Sequence, residues 1–215
     1  RTLPYQYKRD GAAYNLRYRV QSVTDELGNA IPKKVQTVGG YIKVRIGDPK
    51  VTITGVKTYV ISYTVQRAIR FLDAQDELYW NVTGNEWTVP ILAARATITS
   101  PTGVNFIKTV CYTGVVGATE HACTLKPETN ATSVTTTRQF TLGEGLTIAL
   151  ALPPGTLAKP TQSQFISWFI ADNWYIAIPF ILWAFFHWRW YKRGRDPRGR
   201  GTIVPQYESP DKMTP

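Results

Sequence analysis

The sequence has little of what enzymes most often use for chemistry. Its 215 residues include two cysteines and two histidines, His121 and His187. Two cysteines are too few for a disulfide scaffold or for a four-ligand zinc site of their own, and two histidines leave little room for histidine-based catalysis. The chain also has no nucleophile-elbow, Walker, dinucleotide-binding or HExxH motif. We therefore expect a non-enzymatic protein with no catalytic residues, no metal and no cofactor.

Helical periodicity is absent before residue 160, and strand periodicity takes its place. Apolar and polar residues alternate in NLRYRVQSV (15–23), YIKVRI (41–46), KTYVISYTV (57–65), TSVTTTRQF (132–140) and EGLTIALAL (144–152). Such alternation places neighbouring side chains on opposite faces of a half-buried strand. Roughly eight short strands separated by turn residues predict a mainly β domain over residues 1–152, an antiparallel β-sandwich of the Ig-like type.

Formal charge is absent between Asp172 and Arg189. A Pro/Gly linker over 153–164 leads into the apolar segment 165–191, which holds five of the seven tryptophans. Aromatic residues bracket this segment as two interfacial belts would, namely Trp174, Tyr175, Trp188, Trp190 and Tyr191. The alternative, a buried helix of a soluble protein, would show one polar face. We favour a single transmembrane helix over 165–191.

Positive charge is concentrated on one side of that segment. The net charge is +10, and six of the 25 Lys and Arg residues lie between Arg189 and Arg200. Because Lys and Arg accumulate on the cytoplasmic side of membranes, residues 192–215 are predicted to form a basic, proline-rich, extended cytoplasmic segment, with the β domain on the other side. Four cations complete the predicted membrane interface and would contact anionic lipid headgroups. They are Arg189, Lys192, Arg193 and Arg195. Their position beside an apolar segment argues against a nucleic-acid partner.

Cys111 and Cys123 flank a short loop. Outside the cytoplasm the compartment permits a disulfide, and closing so short a loop would contribute about 3 kcal/mol in the chain-entropy model. The alternatives are two buried free thiols or a metal site with His121. The spacing is not that of a zinc knuckle, and one histidine leaves the coordination incomplete. We favour a structural disulfide.

The most polar cluster is FLDAQDELYWNVTGNEW (71–87). Its candidate ligand- or partner-binding residues are Asp76, Glu77, Trp80, Asn81, Asn85 and Trp87. They could bind a sugar by tryptophan stacking, hold calcium through Asp73, Asp76 and Glu77, or act as paired carboxylates in a glycosidase. We give more weight to a plainer interpretation, a connecting loop whose aromatic residues fill the core and whose acids cap turns.

Several longer motifs resemble a known family. They are IGDP (46–49), GVKTYVISYTV (55–65), DELYWNVTGNEWTVPI (76–91), the Cys111–Cys123 loop, GEGLTI (143–148) and GRDPRGRGTIVPQYESP (194–210). In this order they resemble the YciQ-like family of bacterial predicted membrane proteins, a domain of unknown function. The resemblance implies an export signal in the precursor, an extracytoplasmic β-rich domain and a helix in the plasma (inner) membrane. It also implies that this chain is a fragment of a longer protein, and it brings no catalytic residues with it.

Two functions from different classes follow as expectations. The first is a non-enzymatic, membrane-anchored protein of the cell envelope whose β domain binds another envelope or membrane protein. The second is a cell-envelope glycan binder or glycosidase that uses the loop 76–87, with Asp76, Glu77, Trp80 and Trp87 as its working residues.

Overall fold

The computed structural model describes residues 1–9, 12–101 and 103–195. The chain divides into two units: Arg1–Asp172, and a second unit from Asn173 on. The first contains every strand assigned in the described part and one helix, and the second is helical where it is described. The predicted cytoplasmic tail lies outside the described residues from position 196 on, as does most of the motif over 194–210.

Short strands account for most of the first unit. Fourteen lie in the described residues: β1 (Thr2–Pro4), β2 (Gln6–Arg9), β3 (Ala12–Asn15), β4 (Arg17–Thr24), β5 (Lys33–Val38), β6 (Tyr41–Ile46), β7 (Val60–Gln66), β8 (Ile69–Phe71), β9 (Asp76–Asn81), β10 (Arg95–Thr99), β11 (Lys108–Gly114), β12 (Cys123–Glu128), β13 (Ala131–Thr136) and β14 (Gly145–Leu152). They pair antiparallel in sheets of order β11-β14-β9-β8, β10-β13-β12 and β1-β6-β5, with the two-stranded pairs β2-β3 and β4-β7. The mainly β prediction is confirmed, as several antiparallel sheets.

The hydrophobic core joins the four-stranded sheet to the sheet β10-β13-β12. Leu146, Ile148 and Leu150 of β14 are almost completely buried, as the alternation in EGLTIALAL predicts. They pack in one cluster with Val134 of β13 and with Phe140. The alternate positions of β14 face the other side of the sheet, so this strand orients both the core and the outer face described below.

A linker without regular structure follows β14, and α1 (Gln162–Asp172) begins after Thr161. The hydroxyl of Thr161 accepts the backbone N–H of Gln164 at 3.3 Å, while the Gln164 side chain accepts the N–H of Thr161 at 3.0 Å. This reciprocal pair is a capping box. Thr161 is therefore the N-cap of α1.

A single continuous helix over 165–191 is not what the structure shows. α1 ends at Asp172, a 3₁₀ turn covers Trp174–Ile176, and α2 covers Ala177–Arg193. The break follows from Asp172, whose carboxylate is held in ion pairs with Arg17 and Arg67 of the β region. No single described helix is long and apolar enough to cross a membrane, whereas the two helical segments meet that requirement together, as a bent pair.

Candidate ligand-binding cleft

Asp76 and Glu77 lie on opposite faces of β9. Asp76 is on the core face opposite Leu152, is 1% exposed, and accepts the backbone N–H of Leu157 at 3.3 Å through Oδ2. Its Oδ1 is buried without a hydrogen-bond partner in the described chain. Glu77 faces the other way and pairs with Arg70 at 3.1 Å. The two carboxylates therefore do not converge on one ligand.

The two tryptophans of the loop 76–87 are placed differently from each other. Trp80 shares the core face of β9 with Leu78 and packs against the core cluster, and its ring centroid lies 6.1 Å from that of Tyr18. Trp87 is partly exposed, and its indole N–H donates to the carbonyl of Thr83 at 2.8 Å. Trp80 is therefore engaged with the core, and Trp87 lies outside the cleft described below.

Asn81 and Asn85 hold the turn after β9. The side-chain oxygen of Asn81 accepts the N–H of Gly84 at 2.7 Å, and the amide nitrogen of Asn85 donates to the carbonyl of Gly143 at 2.8 Å. A Cβ at Gly145 would lie 2.9 Å from the carbonyl oxygen of Gly84, so only glycine fits where the turn meets β14. The two amides are thus engaged within the protein, and they place the turn at the rim of a cleft.

That cleft is lined by residues of the four-stranded sheet and of the N-terminal strands. Its volume is about 590 Å³, within the range of small-ligand sites. Tyr79 and Tyr112 project from the outer face of the sheet, with ring centroids 6.4 Å apart. The N-terminal strands bring four more tyrosines, Tyr7, Tyr14, Tyr18 and Tyr41. Of the loop residues predicted from sequence, Trp80, Asn81 and Asn85 line the cleft, whereas Asp76, Glu77 and Trp87 do not.

The tyrosine hydroxyls are the main polar groups offered to a ligand. The hydroxyl of Tyr14 donates to the backbone carbonyl of Arg67 at 2.7 Å, and that of Tyr18 donates to the backbone carbonyl of Pro4 at 3.1 Å. The other four cleft tyrosines make no hydrogen bond through their hydroxyls within the described chain, namely Tyr7, Tyr41, Tyr79 and Tyr112. Burial raises the pKa of Tyr18 and of Tyr7, and neighbouring tyrosines raise both further. Both hydroxyls therefore stay protonated at neutral pH.

The arginines around the cleft are already engaged within the protein. The Arg67 guanidinium lies over the Tyr14 ring at 4.0 Å and pairs with Asp172, while Arg70 pairs with Glu77. Arg1 donates to the carbonyl of Val82 at 2.8 Å. Apart from the carboxylate of Glu86, the cleft thus presents aromatic faces and neutral hydroxyls to a ligand.

Arg138 links two acidic side chains near the turn that enters β14. It contacts Glu120 at 2.6 Å and Glu144 at 2.8 Å. The hydrogen bonds from Arg138, with further ones from Thr141, lower the pKa of Glu144 to about 2. Arg138 likewise lowers the pKa of Glu120. The cluster fixes the loop before β12 to the turn before β14.

The disulfide Cys111–Cys123 is confirmed, with the two Cα atoms 6.6 Å apart. It joins β11 of the four-stranded sheet to β12 of the neighbouring sheet, so it ties the two sides of the core together. Both sulfurs are engaged in it and neither is a metal ligand. His121 Nδ1 lies 2.6 Å from the carbonyl oxygen of Cys111, and its ring contacts Tyr112 with centroids 5.3 Å apart. The histidine therefore supports a cleft residue.

The predicted membrane-interface residues all lie within the second unit. The aromatic ones are exposed: Trp174, Tyr175, Trp188, Trp190 and Tyr191. No residue of α2 is buried, and Lys192 and Arg193 form its last turn. The guanidinium of Arg195 lies 4.8 Å from the centre of the Tyr191 ring, and Arg189 is also exposed. These residues have the composition of a helix that meets lipid on all sides and ends in cations.

The N-terminal domain of a family of predicted membrane proteins, DUF2207, matches residues 1–152. The chain belongs to the DUF2207 family. The match ends at the last residue of β14, so it covers every strand described above. No curated protein and no solved structure matches the chain. DUF2207 membership gives a predicted membrane protein of unknown function, and the narrower YciQ-like resemblance stays a prediction.

The cleft itself was missed by reasoning from the sequence, because its walls come from strands far apart in the chain. Only the part of the cleft formed by the four-stranded sheet has a local sequence pattern that could have predicted it. Tyr79 alternates with the core-facing Leu78 and Trp80, and Tyr112 follows the buried Cys111. Large aromatic residues at outward-facing strand positions indicate that something covers them. The part formed by the N-terminal strands carries no comparable signal.

Proposed function

We propose that this DUF2207 protein is a non-enzymatic, membrane-anchored binding protein whose β domain, an Ig-like sandwich, holds its ligand in the tyrosine-lined cleft. One observation carries the proposal: four cleft tyrosines offer hydroxyls without partners in the described chain, around a volume of about 590 Å³. Aromatic walls with a few polar groups are typical of binding sites. The separation of Asp76 from Glu77 removes the carboxylate pair on which a glycosidase in this loop would depend.

The ligand that fits best is a segment of another envelope or membrane protein. Tyrosine supplies large contact area and a hydroxyl at low cost in side-chain entropy, which suits protein recognition. The domain would lie outside the cytoplasm of a bacterial cell, anchored in the inner membrane. Two observations support this orientation: a disulfide, which persists in oxidising compartments, and the cations Lys192 and Arg193 in the last turn of α2, which favour the cytoplasmic side and anionic headgroups.

A glycan is the second candidate ligand, because Tyr79 and Tyr112 present neighbouring rings at the cleft. A sugar would stack on these tyrosines, and not on Trp80, which packs on the core.

Site-specific photo-crosslinking in intact membranes tests the proposal. A benzophenone amino acid replaces Tyr79 in one variant and Tyr59 in the control, an exposed tyrosine outside the cleft. We expect one defined protein adduct from position 79 that is absent from position 59 and is lost when Tyr112 is changed to alanine. A glycan adduct with the same dependence would establish the second candidate. Equal labelling at both positions, or none at 79, would contradict a ligand in the cleft.

A further inference from the structure

α1 carries a stripe of exposed apolar side chains. Phe165, Ile166, Phe169 and Ile170 are between 41% and 60% exposed. Their spacing of one, four and five residues places them along one side of the helix. No residue of α1 belongs to a protein core. A stripe of this kind on an otherwise polar surface indicates a contact with something apolar.

The last turn of α1 is held by a buried anchor in the β region. The carboxylate of Asp172, 4% exposed, pairs with Arg17 at 3.2 Å and with Arg67, whose side chain is 5% exposed. It also accepts the side-chain amide of Asn15 at 3.2 Å. One turn earlier, the Trp168 ring lies 5.3 Å from the same Arg67 guanidinium. These contacts fix both the position of α1 on β3 and its rotation about its own axis.

Two other roles for α1 are excluded, that of a core helix and that of the first half of a membrane span. Its 11 residues span roughly 16 Å, about half of the hydrocarbon core of a bilayer. An apolar helix of this length is commonly a core helix or an interfacial segment, and the exposure of α1 excludes the first. Drawing Asp172 into hydrocarbon would break the anchor and bury an ionised carboxylate, at a cost of several kcal/mol. α1 is therefore unsuited to be the first half of a membrane span.

We propose that α1 is a membrane-surface helix whose stripe Phe165, Ile166, Phe169 and Ile170 lies at the boundary of headgroups and acyl chains, and that Asp172 anchors the β region against that surface. The occupant is a lipid bilayer because DUF2207 is a family of predicted membrane proteins and because α1, taken together with the helical segment Trp174–Arg193 that follows it in the chain, has the length and composition of a membrane segment. This proposal does not depend on the ligand of the cleft.

The composition of α1 gives the proposal a further consequence. The helix contains no Lys or Arg, so apolar burial alone drives its insertion. We expect its depth to be the same in zwitterionic and in anionic bilayers, and to be insensitive to salt.

Depth-dependent fluorescence quenching on the full chain in phosphatidylcholine nanodiscs tests it. Cysteine replaces Ile166 or Ile170 on the stripe, and Ser167 or Ala171 on the opposite side as matched controls. Both native cysteines are in the disulfide, so each variant takes one thiol-reactive fluorophore. The quenchers are aqueous iodide and lipids that carry a spin label near the headgroup or near the bilayer centre.

We expect labels at 166 and 170 to be quenched several-fold more by shallow than by deep spin labels and to be shielded from iodide, with iodide quenching at 167 and 171. Deep quenching at all four positions would overturn the proposal and place α1 within the span. Labels at 166 and 170 that are shielded from both the spin-labelled lipids and iodide would overturn the proposal in favour of a protein contact. Iodide quenching at 166 and 170 would also overturn it, because the stripe would then lie in water.

The anchor is tested separately by Asp172→Asn in the same labelled variants. Loss of the ion pairs frees the rotation of α1, so the difference between position 166 and position 167 should shrink. An unchanged difference would overturn the role of Asp172 as the anchor.

Discussion

β14 and α2 use similar apolar residues and bury them in opposite ways. In β14 every second side chain enters the core, and Leu146, Ile148 and Leu150 are at most 2% exposed. In α2 the side chains of Phe180 and Trp183 are each 68% exposed, and no residue is buried. Alternation gives a strand one apolar face that can be buried in the core. A helix that is apolar on all sides has no polar face to turn to water. The first region is stabilised by protein packing, and for the second we propose lipid as the apolar surroundings.

The largest expected effect on stability is the difference between a Phe→Ala substitution in the β region and the same substitution in α2. Phe140→Ala removes a core side chain that is 1% exposed and should lower the free energy of unfolding of the β region by about 4 kcal/mol. Phe185→Ala, in α2, should leave that free energy unchanged within about 0.5 kcal/mol. Hydrogen exchange of the β14 amides against urea, with the chain in nanodiscs, measures both variants. Equal destabilisation would mean that the two regions share one packing unit.

The disulfide should have the next largest effect, again confined to the β region. Replacing Cys111 and Cys123 together by alanine should lower the free energy of unfolding by about 3 kcal/mol, because the loop between the two sheets is then open in the unfolded chain. The same exchange measurement gives the midpoint shift. Reductant added to the double variant is the control and should change nothing. A shift below about 1 kcal/mol would show that packing alone holds β11 to β12.

The acidic cluster around Arg138 should give the smallest effect, visible only at low pH. Arg138 holds the pKa of Glu144 at about 2, below its ordinary value of 4.5. A carboxyl with a lowered pKa stabilises the folded state fully above its unfolded value, and this contribution is lost as the pH falls towards the folded value. Stability of the β region should therefore decline between pH 4.5 and pH 2.

Arg138→Gln should flatten that decline, and high salt should weaken it in the unmodified chain, because the cluster is accessible to solvent. Urea titrations at several pH values measure the slope. An identical slope in the variant would assign the acid sensitivity to other carboxyls.

Local rules predicted the parts of this molecule that depend on neighbours in sequence. Alternation alone identified the buried face of β14. In β4, alternation did not predict the buried residue, because the pairing of β4 with β7 shifts between Val20 and Ser22. That bulge shifts the alternation by one position, so the buried residue is Val23, out of step with Tyr18 and Val20.

Features that depend on distant residues were not predictable in this way. The cleft brings Tyr7 and Tyr41 into one site with Tyr79 and Tyr112, and no local pattern relates them. The end of α1 was missed for the same reason. Asp172 falls inside the helix predicted over 165–191, but the structure pairs it with Arg17 and Arg67, more than a hundred residues earlier. An ion pair of that separation leaves no trace in the composition of the helix.

Tyrosine footprinting of the cleft tests the central claim most directly. A tyrosine-modifying reagent is applied to intact membranes and to the purified chain in nanodiscs, and modification is read by mass spectrometry. Tyr79 and Tyr7 line the cleft, and Tyr59 is similarly exposed outside it. If the cleft holds a ligand in the membrane, Tyr79 and Tyr7 should be protected there and reactive after purification, with Tyr59 reactive in both. Equal reactivity of all three in the two preparations would contradict a binding role for the cleft.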